Sequence, residues 1–399
     1  MLISFLTLAY PQDSSIRNLY SDLFDEIVDR GHEVIVFNPD EKRILGDAIS
    51  KMRGKVKVVQ IPTGQITKAK KLKKLINLAL LNYRYNRVIK KYINNKIDLL
   101  IYSTPPINFL GVIKKLKKVM NCSTYLLLKD IFPQNAVDIG LLNQKSIAYK
   151  YFRKKEKELY EISDRIGCMS PANVRFLLEN NSFIEKSKVH ENPNSIKPST
   201  IEFTSSEKAV ILEKYSVPQN SLKLVYGGNF GLPQGIDYIL KVLKALSDRQ
   251  DVFTLLIGDG TQYEKIAKFI EKEKFKNVQL IKSLPQSEYK KLLFCMDVGL
   301  IFLDYRFKIP NFPSRILDYM EAGLPILAAT DPNTDVGEII QKSGAGLWCY
   351  SNQINNYLEC IDKMKDENYR LAAGHASQKL LMERYTVSYS ANIILENRK

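Results

Sequence analysis

The chain has 399 residues, 45% of them hydrophobic, and carries 59 Lys+Arg against 43 Asp+Glu for a formal charge of +16. That length and composition exclude a disordered or collagen-like chain and suit two folded domains of roughly 180 residues each. The positive excess favours anionic partners such as phosphates, nucleic acid or an acidic membrane surface, without choosing among them. The first element is the apolar run 2–9, a strand. It lacks the basic flank and cleavage site of a signal peptide. Residues 22–30 read as a helix stopped by Gly31, and 33–37 as the next strand.

Residues 67–96 follow with Lys68, Lys70, Lys71, Lys73, Lys74, Arg84, Arg87, Lys90, Lys91 and Lys96, and no acid. Leu72, Leu75, Ile76, Ala79, Leu80 and Tyr83 recur there at helical spacing, and Leu78, Leu81, Tyr85, Val88 and Ile89 widen the apolar sector. A basic amphipathic helix over 68–91 can lie on anionic lipid. An ordinary core helix with a solvated lysine face explains the same pattern. No nucleic-acid module surrounds Tyr83 and Tyr85, so nucleic acid is not an expected partner.

Short strands at 99–102, 123–128 and 165–169 continue a β-α series, as in a parallel sheet covered on both faces. Residues 191–200, with Pro193 and Pro198 among polar residues, form a linker. A second series then begins, with strands at 222–226, 253–257, 278–281, 298–302 and 326–329 and helices such as 236–246 and 287–294. Residues 368–397 are helical. The expected domains are 1–195 and 205–380, with a terminal helix over 381–399 packing back on the first. No run reaches the ~18 apolar residues of a membrane span, so a cytoplasmic protein is expected. Cys122, Cys168, Cys295, Cys349 and Cys360 are scattered and odd in number, which suits free thiols in a reducing compartment. His32, His190 and His375 lie far apart and no CxxC or HExxH occurs, so no metal site is expected.

Three motifs carry chemistry. Residues 226–235 (YGGNFGLPQG) follow a strand directly, where glycines let backbone approach a ligand closely. They equally suit a tight turn. Gly258-Asp259-Gly260 ends the next strand and opens toward the same edge. Most informative is 310–326, in which Pro313 and Ser314 occupy positions suited to N1 and N-cap of a helix that stops at Gly323. Arg315 stands in its first turn, against the helix dipole, and suggests an anion to be met. Asp318 lies one turn on, on the same face. A cation for a diphosphate and a carboxylate for ribose fit a nucleoside diphosphate. A surface salt bridge between the two residues is the alternative.

In order and spacing these motifs resemble the retaining glycosyltransferases of family four. The resemblance implies the α/β GT-B fold, two Rossmann-like domains facing across a cleft. Asp29 through Val34, the "PN" of Glu191-Asn192-Pro193-Asn194, Gly258-Asp259-Gly260, Asp297-Val298 and Asp318 through Pro325 match in sequence order. There are departures. Of two glutamates eight positions apart, the second is Asp318 and the first is Pro310. The donor-loop arginine and lysine are Asn229 and Gln234. The first-domain histidine is Lys129, followed by Asp130. With Ile131-Phe132-Pro133 and Pro313-Ser314-Arg315, these residues resemble a bacterial capsule and O-antigen subgroup that includes N-acetyl-L-fucosamine transferases.

The resemblance implies that Ser314 and Arg315 hold the diphosphate, Asp318 the ribose, and Lys282-Ser283-Leu284 the base. Asn229, Gly231 and Gln234, with Gly258, would line the phosphate and sugar pocket. Lys129 and Asp130 would face the reacting sugar, Asp130 as a conceivable base, unless it is a structural cap. Ser14 and Ser15 would approach donor or acceptor, or else cap a helix. The implied reaction moves a sugar from a nucleotide sugar, UDP-linked, to a polyprenyl-diphosphate-linked saccharide at an anionic membrane surface, with retention. No DxD triplet occurs, so a metal clamp of that type lacks its usual ligands; Arg315 would stabilise the leaving group instead. No cofactor is implied. The alternatives are a UDP-sugar epimerase of similar architecture and a non-catalytic nucleotide-sugar-binding partner.

Overall fold

The structure, a computed structural model, describes residues 1–14, 16–66, 71–93, 96–104 and 107–396. It divides into two units, Met1–Lys197 with Val387–Lys399, and Pro198–Thr386. Both are α/β and Rossmann-like.

The first unit holds strands β1 (Leu2–Leu6), β2 (Glu33–Asp40), β3 (Ile49–Arg53), β4 (Val56–Pro62), β5 (Leu99–Ser103), β6 (Ser123–Leu128), β7 (Arg165–Cys168) and β8 (Val189–Glu191). They form one sheet in the order β3-β4-β2-β1-β5-β6-β7-β8. Only the pairing of β3 with β4 is antiparallel. The apolar runs at β1, β5 and β6 are buried almost throughout, because parallel strands are covered on both faces. The hairpin β3–β4 and the short β8 escape sequence reading. Four of the five residues of β3 are exposed, so no core face marks it. The turn rests on Gly54, at φ +58°.

The first helix spans Leu19–Asp29, three residues earlier than its apolar spacing suggests, because Asn18 caps it. The Asn18 carboxamide oxygen accepts from the amides of Tyr20 and Ser21. Ser14 is therefore not that helix's cap; it is exposed in the preceding loop, and Ser15 lies outside the described residues. The basic helix spans Lys71–Tyr92, while Lys68 and Lys70 lie outside the described residues. Its apolar residues divide between two faces. Leu81, Tyr85 and Ile89 are buried, whereas Ile76, Leu80 and Tyr83 are 51%, 41% and 66% exposed.

The second unit holds β9 (Leu222–Gly227), β10 (Val252–Ile257), β11 (Val278–Ile281), β12 (Val298–Phe302), β13 (Ile326–Thr330) and β14 (Gly346–Tyr350). All neighbours are parallel, in the order β11-β10-β9-β12-β13-β14. The chain winds outward from β9 to β11 and then returns to β12 on the other side of β9. Such a reversal leaves a crevice at the carboxyl ends of the strands. Helix Ile236–Ala245 turns Ile236, Ile239, Val242 and Leu243 onto the sheet, each contributing about 1.5–3 kcal/mol.

The expected boundary at residue 381 moves to 387. Residues up to Arg384 continue helix Glu367–Arg384, whose Leu380 and Leu381 are buried in the second unit. The last helix, Val387–Glu396, belongs to the first unit. There Val387, Ala391 and Ile394 join the core, and Arg165 donates to the carbonyls of Ile393 and Ile394 at 2.6 and 3.1 Å.

Tyr319 ties helix Arg315–Glu321 to the sheet. Its hydroxyl donates to the Leu300 carbonyl and accepts from the Gly227 amide, both at 3.1 Å. Its ring fills the space left by Gly299, where a Cβ would stand 2.4 Å from the ring. Tyr319→Phe is expected to leave both backbone groups unpaired and lower stability by about 1–3 kcal/mol, read as a shift in the urea midpoint.

Candidate functional site

The loops after β9 and β10 are joined backbone to backbone. The Gly228 amide donates to the Ile257 carbonyl (2.8 Å), Phe230 to Asp259 (2.8 Å) and Gln262 to Phe230 (2.9 Å). A Cβ on Gly258 would stand 1.8 Å from the Gly228 carbonyl oxygen, and one on Gly260 2.5 Å from that of Phe230. Only glycine allows that approach.

Past these loops lies a cavity of about 490 Å³. It gathers Asn229, Gly258, Ser283, Leu284, Ser314, Arg315 and Asp318, all singled out from the sequence. Gly231 and Gln234 do not line it. Gln234 is buried, and its carboxamide oxygen accepts from the Gly231 amide at 3.0 Å, so it shapes the loop instead. Lys282 also turns elsewhere, its ammonium lying over the Tyr263 ring at 5.5 Å. Gln286 and Tyr289, from helix Gln286–Leu293, line the cavity and were not anticipated. Nothing in that helix's pattern separates them from ordinary surface and core positions.

Helix Arg315–Glu321 has two turns, and Ser314 is its N-cap. The serine side chain makes no capping hydrogen bond, and Pro313 precedes the cap rather than filling N1. Arg315 lies over the Tyr226 ring, with Cζ 4.2 Å from the ring centroid. Its Nη1 is buried and has no hydrogen-bond partner. No ion pair joins Arg315 to Asp318 among the described residues, which removes the surface salt bridge as an account of the pair. Burial, reinforced by the charge of Glu321, raises the Asp318 carboxyl to about 6 although Lys290 and Arg315 pull it down. Glu321, one turn further, is buried and bonds Lys290 (2.6 Å) and the amide and hydroxyl of Ser199 (2.8 Å).

Lys129 and Asp130 belong to the first unit, just past β6. Both amides donate to the Thr104 hydroxyl at 3.1 Å. Burial lowers the Lys129 ammonium to about 7. Its side chain lines a water-sized cavity of about 10 Å³ beside Asn192, Pro193 and Asn194. Burial raises Asp130 to about 6, against a hydrogen bond from Asn135. Asp130 caps no helix; Pro133 stands at the cap of the next one, Gln134–Asp138. Among the described residues no three His, Cys, Asp or Glu side chains gather as a metal site. All five cysteines are buried free thiols.

Comparison with known proteins agrees with this geometry. Residues 207–380 match the family of group 1 glycosyl transferases. A probable glycosyltransferase, WbjE, from Pseudomonas aeruginosa is 25% identical over 301 residues, covering 72% of this chain and 71% of that protein. Among solved structures, Anabaena HepE in complex with UDP and glucose superposes with a TM-score of 0.71 at 14% identity, over 99% of this chain and 98% of that one. WaaG, a glycosyltransferase involved in lipopolysaccharide biosynthesis, does so at 0.65 and 13% identity, over 98% and 99%. The fold is the GT-B fold.

A carboxyl raised to about 6 is costly to ionise in the folded state. That cost is absent below the ordinary carboxylate range near pH 4, grows through it and is complete above about pH 6. Asp318→Asn is therefore expected to raise the thermal midpoint at pH 7.5, with the difference shrinking toward pH 4. Equal midpoints at pH 7.5 would contradict it.

Proposed function

We propose that this chain, whose residues 207–380 match the group 1 glycosyl transferase family, transfers a hexosyl or N-acetylhexosaminyl group from a UDP-sugar to a polyprenyl-diphosphate-linked saccharide in bacterial surface polysaccharide synthesis. One observation carries the reading. Arg315, with a nitrogen left unpaired, and Asp318, with no ion-pair partner among the described residues, line one cavity together with Ser283 and Leu284. Arg315 meets the diphosphate, Asp318 the ribose, and Ser283-Leu284 the base. Support comes from HepE, an architectural relative solved with UDP and glucose.

In the reaction the bond from the anomeric carbon to the diphosphate oxygen breaks, and a bond to the acceptor hydroxyl oxygen forms on the same face. Arg315 stabilises the charge growing on the leaving oxygen. The acceptor proton passes to that departing phosphate, so configuration is retained and no metal is required. Asp130 and Lys129, whose values of about 6 and 7 suit proton exchange near neutrality, are the remaining candidates for acid–base roles. Asp130 is the alternative base.

A lipid-linked acceptor places the chain at the inner face of a membrane. No described helix is long and apolar enough to cross one. Helix Lys71–Tyr92 offers a surface instead. Ile76, Leu80 and Tyr83 follow one another at i, i+4 and i+7 and are exposed, with exposed Arg87, Lys90 and Lys91 beyond them.

Calorimetry is expected to show UDP binding that Arg315→Ala weakens about tenfold or more; a wild-type protein that does not bind UDP sinks the donor assignment. UDP release should require an acceptor. Product formed from a UDP-sugar alone selects an epimerase. Co-sedimentation with anionic vesicles should fall with salt and with Ile76→Ser/Leu80→Ser, and binding insensitive to both refutes the membrane surface.

A further inference from the structure

We infer that Tyr226 is a positioning residue for Arg315: its ring holds the guanidinium in place and leaves Nη1 for the diphosphate. This rests on the reading of Arg315 as the diphosphate ligand.

Tyr226 is the penultimate residue of β9 and is fully buried. Its ring cannot swing. Phe230 stacks on it at 5.2 Å and 25°, Phe302 packs at 5.9 Å, and its hydroxyl donates to the Asn229 carbonyl at 2.9 Å. The Arg315 guanidinium lies on this fixed plate, Cζ 4.2 Å from the centroid. It also rests against Gly228, where a Cβ would come within 3.2 Å of Cζ, so a side chain there would press on the cation.

The choice of partner matters. A buried cation needs compensation. A carboxylate would supply it by consuming N–H donors and neutralising the charge. A ring face attracts the cation through its quadrupole without neutralising it, and beyond one hydrogen bond to the Tyr226 side chain it consumes no donor. Nη1 stays unpaired in a cavity wall that otherwise offers amides, hydroxyls and the two carboxyls of Asp259 and Asp318. The hydroxyl bond to the Asn229 carbonyl helps keep the ring in place under the cation. The donor loop, with Asn229 and Gln234, contributes no cation of its own. A single well-aimed arginine has to serve.

The test is a double-mutant cycle read by UDP titration calorimetry. Tyr226→Phe keeps the ring and should bind UDP within about twofold of wild type. Tyr226→Leu removes the plate and should weaken UDP about tenfold. In an Arg315→Ala background, Tyr226→Leu should change the affinity less than about twofold, because its effect runs through the arginine. An equal loss in that background, or a loss in Tyr226→Phe as large as in Tyr226→Leu, overturns the inference while the diphosphate reading stands. An Arg315→Ala protein that binds UDP normally overturns that reading itself. Should Tyr226→Leu not fold, the Arg315 Nε–Hε NMR resonance decides. An upfield ring-current shift in wild type and Tyr226→Phe supports the plate, and a random-coil position overturns it.

Discussion

At the carboxyl edge of the second sheet, backbone lies against backbone where a side chain would ordinarily stand. The Gly258 Cα sits so near the Gly228 carbonyl that a Cβ would be 1.8 Å from it. The loops after β9 and β10 close on each other through this contact and three amide–carbonyl bonds. Separate them and the cavity loses its wall, Gly228 leaves the guanidinium, and Asn229 loses its place on the rim. The glycines thus hold the site together as scaffold before they touch any ligand.

On that scaffold the charges are arranged by what they lack. Several other arginines are paired with carboxylates, as Arg17 is with Asp22 at 2.7 Å and Arg249 with Asp251 at 2.8 Å. Arg315 has a tyrosine ring instead. The carboxylate nearest in sequence, Asp318, is not spent on it. Glu321 explains part of this arrangement. It takes Lys290 and Ser199, fastening helix Arg315–Glu321 to a neighbouring helix and to the start of the second unit. Its charge also makes Asp318 harder to ionise. A site kept partly unpaired is costly to fold and ready to bind, a trade-off common where stability and function compete.

The first unit shows the same economy at the end of β6. One hydroxyl, Thr104, takes the amides of both Lys129 and Asp130 and sets the turn that carries them. Burial then draws the amine down and the carboxyl up, toward neutrality from opposite sides. At the other edge of this sheet, Tyr125, His190 and Asn192 form a buried chain, with Tyr125 bonded to each partner at 2.8 Å. Burial lowers His190 to about 4, so it stays neutral and packs β7 and β8 against β6.

Local pattern was enough for the two α/β series, the central strands and Asn229, Gly258, Ser314, Arg315 and Asp318 of the cavity, while Ser283 and Leu284 came only from the family resemblance. Continuous apolar runs report burial on both faces, and Gly, Pro and Ser report the turns where such strands end. These signals sit within a few residues, so one chain suffices to read them. Edge elements did not show. Strand β3 is exposed at four of five residues and β14 is half-buried, so hydrophobicity leaves no periodic mark on them. Contacts between distant residues were equally hidden. Gln234 and Arg315 both looked like phosphate ligands in sequence. Folding turned Gln234 inward to the Gly231 amide and laid Arg315, 89 residues beyond Tyr226 in numbering, over that residue's ring. Which polar side chains are consumed by the scaffold and which remain for a ligand depends on the distances between segments, and those exist only once the sheet has brought the segments together.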